Sequence, residues 1–163
     1  MHSLVTQLYF ARSEFKRCLA GVSAEDAVQR LQPMNCLSWI VGHLANQEHW
    51  LWVQLAQQKM IAPGLNELVG YGQPASTPPW DEMWSVWETV TETADEFLIT
   101  LQAERTTEFL AFQGNPHWES IGTSLHRNMF HYWFHIGEAH AIRQQLGHID
   151  LPQFVGDLSN VKF

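Results

Sequence analysis

Residues 126–148, HRNMFHYWFHIGEAHAIRQQLGH, decide how this chain is read. His131 and His135 stand four apart, which on an α-helix places their rings one above the other on a single face. Asn128 and Glu138, three before and seven after His131, continue that face. Leu125, Met129, Tyr132, Ile136, Ile142 and Leu146 fill the rest of an apolar pattern. A polar stripe flanked by core residues needs partners, because buried polar groups cost free energy when left alone. A metal ion is one such partner: a helical turn matches the span of two ligands, so an i, i+4 histidine pair can close on one ion. The Glu of a zinc-protease HExxH motif is missing between the two histidines.

Working outward, Gly114-Asn115-Pro116 interrupts the chain, so this last helix is expected from about Trp118 to Leu146, ending at Gly147. Three more long helices show the same three-and-four spacing. The first runs from Ser3 to Leu19 on Leu4, Leu8, Ala11, Phe15 and Leu19, with Gly21 placed for a left-handed end. A short helical turn follows at Ser23–Leu31, capped by Ser23 with Glu25 and Asp26 in its first turn. The second long helix starts after Pro33, with Asn35 as cap, and extends to about Lys59. The third opens at Thr77-Pro78-Pro79 and reaches about Ala103, with Trp80, Trp84, Trp87, Val90, Ala94, Phe97 and Leu101 along one stripe. Between these two, Met60–Pro79 is rich in glycine and proline, a long connection of the kind bundles use as a crossover. No strand is expected anywhere. The fold class read from these segments is all-α: a four-helix bundle with a long crossover between its second and third helices. It forms one domain over residues 1–163, with an irregular tail from His148 to Phe163.

Composition agrees with a packed domain. Hydrophobic residues make up 45% of 163 and charged residues only 16%, which excludes a disordered chain. Eight tryptophans and nine phenylalanines are a heavy apolar load that must be buried or covered by a partner subunit. The nine Lys plus Arg are scattered and the net charge is −8, so no basic stripe exists to bind nucleic acid or an anionic membrane. No apolar run approaches a membrane span, no signal peptide is visible, and Cys18 and Cys36 form no CxxC pair. The expected compartment is the cytoplasm.

The second helix supplies a third histidine. His43 lies in LSWIVGHLANQEHWLW (37–52), with Trp39, Gln47 and Trp50 on its own face. His49 is six positions further on and is expected at the surface or behind the ligands. One histidine from this helix and two from the last make a three-histidine site with open coordination positions. The remaining residues carry plainer expectations. His140 faces elsewhere, at the surface or a dimer contact; Cys36 is a small buried hydrophobe; Arg143 pairs with an acidic residue; His2, His117, His126 and His148 face solvent. Trp80, Trp84 and Trp87 pack the core or a subunit interface.

LSWIVGHLANQEHWLW and HYWFHIGEAHAIRQQLG together resemble the two signature segments of the DinB-like superfamily of metal-binding four-helix bundles. That pattern has one His in the second helix, then His-x-x-x-His-x-Gly, an Arg and a Leu-Gly end in the last. His43 matches the first position, and His131, His135 and Gly137 the second. The resemblance implies His43, His131 and His135 as ligands of a divalent ion, zinc or nickel, at the open end of a bundle that is often a homodimer. It also implies chemistry like that of relatives that transfer low-molecular-weight thiols. Glu138 stands where Gln is frequent after the glycine, and His140 is an addition.

Two classes of function follow. An ion held by three neutral imidazoles keeps its charge and lowers the pKa of a thiol or water. That suits thiol S-transfer onto a small electrophile, with metal-assisted hydrolysis as the nearest variant and Glu138 and Asn128 as supports behind the ligands. The other class is a non-enzymatic bundle that binds a metal or small ligand in a stress response.

Overall fold

The computed structural model describes residues 1–153 and 155–159. Four long helical segments share one hydrophobic cluster, so the chain is predominantly helical. α1 (Ser3–Leu19) begins where His2 accepts the Leu4 N–H on its side chain and ends near Gly21, which has φ +76°. α2 is a single turn, Ala24–Ala27, capped by Ser23, so the short helix closes sooner than its sequence suggested. α3 (Leu37–Glu48) is capped by the Cys36 sulfur rather than by Asn35, and Cys36 is fully buried. Short α4 (Leu65–Val69) lies inside the long connection and packs on α3. α5 (Trp80–Leu98) follows, then a 3₁₀ turn at Ala103–Thr107. α6 (Ile121–Gln145) is capped by Ser120. α1 packs along α6, and α3 packs against both α5 and α6.

Three expectations about the elements change. The second long helix does not stay α-helical to Lys59: from His49 to Leu55 its ladder widens to a π-helix. The wider turn buries more of the circumference, and Leu51, Trp52 and Val53 are consecutively buried. The third helix ends at Leu98, and no side chain caps its start. Two strands exist where none was expected. β1 (Phe109–Phe112) pairs antiparallel with β2 (Asn115–Ser120), Ala111 opposite Pro116 and Phe112 opposite Asn115. Gln113 and Gly114 both have positive φ, 50° and 81°, the backbone of a two-residue hairpin turn. Punctuation that read as a break between helices is therefore the turn of a hairpin, and Trp118 belongs to β2 rather than to α6.

A buried polar network ties the four long helices together. Arg12 of α1 donates to both Glu48 oxygens in α3 and to Asp95 in α5, at 2.6 Å. Tyr132 of α6 donates to Glu48 at 2.7 Å and accepts from Trp87 Nε1 at 2.8 Å. Glu48 and Tyr132 are fully buried, so removing one partner would strand a charge at a cost of about 3–5 kcal/mol. Trp87 is buried, and Trp84 and Trp80 extend an aromatic file from it, with ring centroids 5.4 Å apart at each step.

The tail after Gly147 has no helix or strand among its described residues; 154 and 160–163 lie outside them. Gly156 N–H donates to Glu14 at 2.8 Å, and Arg17 donates to the Gln153 carbonyl at 2.7 Å, which docks the tail on α1. Among the described residues Arg143 meets no carboxylate: it donates to the Cys18 carbonyl and to His148 Nδ1. His148 is half-buried and also meets Asp26, at 3.3 Å. Among the described residues no helix is long and apolar enough to cross a membrane.

Candidate metal centre

His43 of α3 and His131 and His135 of α6 converge. One ring nitrogen from each lies within 4.8 Å of the others, and ring centroids are 4.6 to 5.2 Å apart. His135 is buried, and the other two are half-buried at the head of a cleft. The i, i+4 spacing on α6 stacks two rings, and the crossing of α3 over α6 delivers the third. On the side that faces α4 and α5, Gly42, beside His43, lets Met83 and Val69 come so close that an added Cβ would stand 2.5 Å from the Met83 sulfur.

Each ring has its Nδ1 committed. The Val69 carbonyl of the long connection can only accept, so His43 Nδ1–H donates to it, at 2.8 Å. Trp39 stacks on the same ring at 4.3 Å and 15°. His135 Nδ1–H donates to the Glu138 carboxylate at 2.7 Å. For His131 the proton is set from further away. The Trp52 indole N–H can only donate, and it donates to Asn128 Oδ1 at 2.7 Å. Asn128 therefore presents its amide N–H₂ to Gln47 Oε1 at 3.1 Å. The same Gln47 oxygen accepts from His131 Nδ1–H at 2.9 Å. All three rings thus carry the proton on Nδ1 and a lone pair on Nε2.

That assignment is the fit test for an ion. His131 Nε2 and His135 Nε2 are 3.0 Å apart. Two lone pairs at that distance repel, whereas a cation between them resolves the contact. The edge of a tetrahedral site with ligands at 2.0–2.1 Å is about 3.3 Å, close to this separation; the widest pair, 4.8 Å apart, has to draw inward. Burial pushes the His43 pKa down to about 4, against the pull of the Val69 carbonyl. Burial and the neighbouring His135 and His43 push His131 down to about 3. At neutral pH both rings are uncharged and offer lone pairs. The residues present fit a divalent ion.

Of the residues singled out in the sequence, the structure brings together His43, His131, His135, Glu138 and Asn128. His140 is half-buried and is not in the cluster. His49 is not at the surface: it is 3% exposed, and its Nε2 accepts the N–H groups of Ile61 and Ala62 at 3.2 and 3.4 Å. It stands four after Ala45 and eight after Val41, both fully buried, on the face that α3 turns inward. The sequence reading passed over the role of Gln47, although its place four after His43 put it on the ligand face. It also missed the Val69 carbonyl, for which a side-chain pattern holds no signal.

Below the three rings opens a cleft of about 1250 Å³ between the π segment, the long connection and α6. Its wall includes Phe130 and Phe134 of α6, and Arg127 with Glu119. The space exceeds the 300–1,000 Å³ of common small-ligand sites. No curated protein matches the chain. The family model described as mycothiol-S-transferase matches residues 3–148, which takes in all six α-helices, the hairpin and the three converging histidines. The chain belongs to this mycothiol-S-transferase family, which is DinB-like.

Proposed function

We propose that this protein is a metal-dependent S-transferase that joins a low-molecular-weight thiol to a small electrophile. His43, His131 and His135 hold a divalent ion, zinc or nickel, at the end of a four-helix bundle whose long connection crosses between the second and third long helices. The observation that supports this reading most is the shared protonation pattern: three Nδ1–H groups anchored outward and three Nε2 lone pairs directed at one another. Family membership adds the thiol.

An ion bound by three neutral imidazoles supplies a Lewis acid that makes a thiolate available at neutral pH. The rest falls to the chain. Glu138 holds the His135 ring and places a negative charge behind it, which strengthens the ring as a donor. Val69 and Trp39 fix His43, so the long connection is part of the site rather than a spacer. Asn128 and Gln47 fix His131. His49 holds the backbone of Ile61 and Ala62 at the cleft edge and leaves room for both substrates.

The test is metal content and turnover of untagged protein. About one divalent ion per chain is expected, with consumption of mycothiol in the presence of an alkylating electrophile. His43→Ala and His131→Ala should each remove most of the metal and the turnover, because two imidazoles make a poor site; His140→Ala should leave both unchanged. Equal loss in all three variants, or full turnover by protein stripped of metal, would refute the proposal.

A further inference from the structure

Phe130 and Phe134 are 65% and 69% exposed, one turn apart on α6. Solvent-facing rings in a row cost hydration free energy and mark a surface that something covers. Both line the cleft, and the Phe134 ring centroid is 5.1 Å from that of His135, so the strip starts at the metal centre. Trp50 of the π segment lines the same cleft and is braced edge-on by Phe112 of the hairpin, at 5.5 Å. The cleft wall also carries charged side chains. Arg127 is its one arginine, and Glu119 holds that guanidinium through both carboxylate oxygens while Trp118 covers it at 4.6 Å. Glu67 adds a further negative charge.

We propose that the electrophile taken by this site is a flat aromatic molecule that lies on Phe134 and Phe130, and that these two residues determine specificity. The inference rests on the S-transferase reading for the reaction but on the cleft alone for the binding. In the transfer, the thiolate sulfur bonds to an electrophilic carbon on or beside the ring. With an aryl chloride the carbon–chlorine bond breaks and chloride leaves with its electron pair; the proton of the thiol goes to water. Ring stacking orients the acceptor carbon toward the histidines.

Two measurements separate the binding claim from the reaction. With mycothiol as thiol, Phe130→Ala/Phe134→Ala should raise KM for 1-chloro-2,4-dinitrobenzene about tenfold, the effect of two aromatic contacts. KM for iodoacetamide and the metal content should stay unchanged. Phe134→Tyr, which retains the ring, should behave as the parent. Independently, 2,4-dinitroaniline, which cannot react, should quench tryptophan fluorescence of the metal-loaded protein with an affinity that drops about tenfold in the double variant. Dinitroaniline binding without any turnover would sink the transferase reading and leave the platform standing. Turnover with equal losses for both electrophiles would overturn the platform. So would a fall in sedimenting mass in the double variant, since the rings would then cover a second copy of the chain.

Discussion

The Nε1–H of Trp52 can only donate, and that restriction passes through Asn128 and Gln47 to leave a lone pair on His131 Nε2. Gln47 thus sets which nitrogen of His131 is left free to meet an ion. Gln47→Leu removes the acceptor for His131 Nδ1–H and frees the ring to turn or change tautomer. Its metal affinity is expected to fall about 10–100-fold, read by competition with a chromophoric chelator, with unchanged helical circular dichroism. Undiminished affinity would show that the chain from Trp52 does not hold the ring. His43 and His135 were legible one by one from the spacing of the sequence, as were Glu138 and Asn128. Gln47 was visible as a neighbour on the right face; only the geometry assigns it a partner.

Two glycines separate packing from propensity at the scale of the element. Gly137 sits in the middle of α6, exposed, with nothing within 4 Å of where a Cβ would be. Glycine there costs the helix about 0.5–1 kcal/mol relative to alanine, so Gly137→Ala should raise stability by that amount in urea unfolding. Gly42 is the opposite case. A Cβ at that position would press the Met83 sulfur at 2.5 Å and Val69 Cγ1 at 3.1 Å, and overpacking of this kind costs about 1–3 kcal/mol. Because the Val69 carbonyl holds His43, Gly42→Ala should also weaken metal binding, an effect absent from Gly137→Ala. Matching metal affinities in the two variants would uncouple the long connection from the site. The two ends of the second helix show where periodicity stops informing. Cys36 caps it through a sulfur, and a π turn from His49 widens its ladder; neither leaves a mark in an apolar repeat of three and four.

Across the whole molecule, the docked tail is a pH-sensitive part of the fold. Glu14 is buried, and its carboxyl is held below its usual range by the Arg17 guanidinium and the Gly156 N–H, which outweigh the opposing effect of burial. A depressed folded-state pKa means the carboxylate stabilises the native state above the unfolded value, about 4.3. That contribution is lost as pH falls through the lower folded value. Amides around Gly156 should therefore lose hydrogen-exchange protection in this acid window, ahead of the buried helices. Glu14→Gln should show weak protection there already at pH 7. A tail equally protected in both proteins would mean that other contacts hold it.

Local spacing was enough to identify a mainly helical chain, its long segments and the two-helix origin of the three histidines, because amphipathic period and metal-ligand spacing are properties of neighbouring residues. The hairpin at 109–120 escaped, since strands of four and six residues joined at Gln113-Gly114 are too short to show alternation and their turn mimics a helix break. The acceptors behind His43 and His131 and the cleft with its exposed phenylalanines needed the folded molecule. Each depends on backbone groups or on residues 26 to 84 positions apart meeting across elements, and those meetings are set by how the helices pack rather than by any stretch of chain.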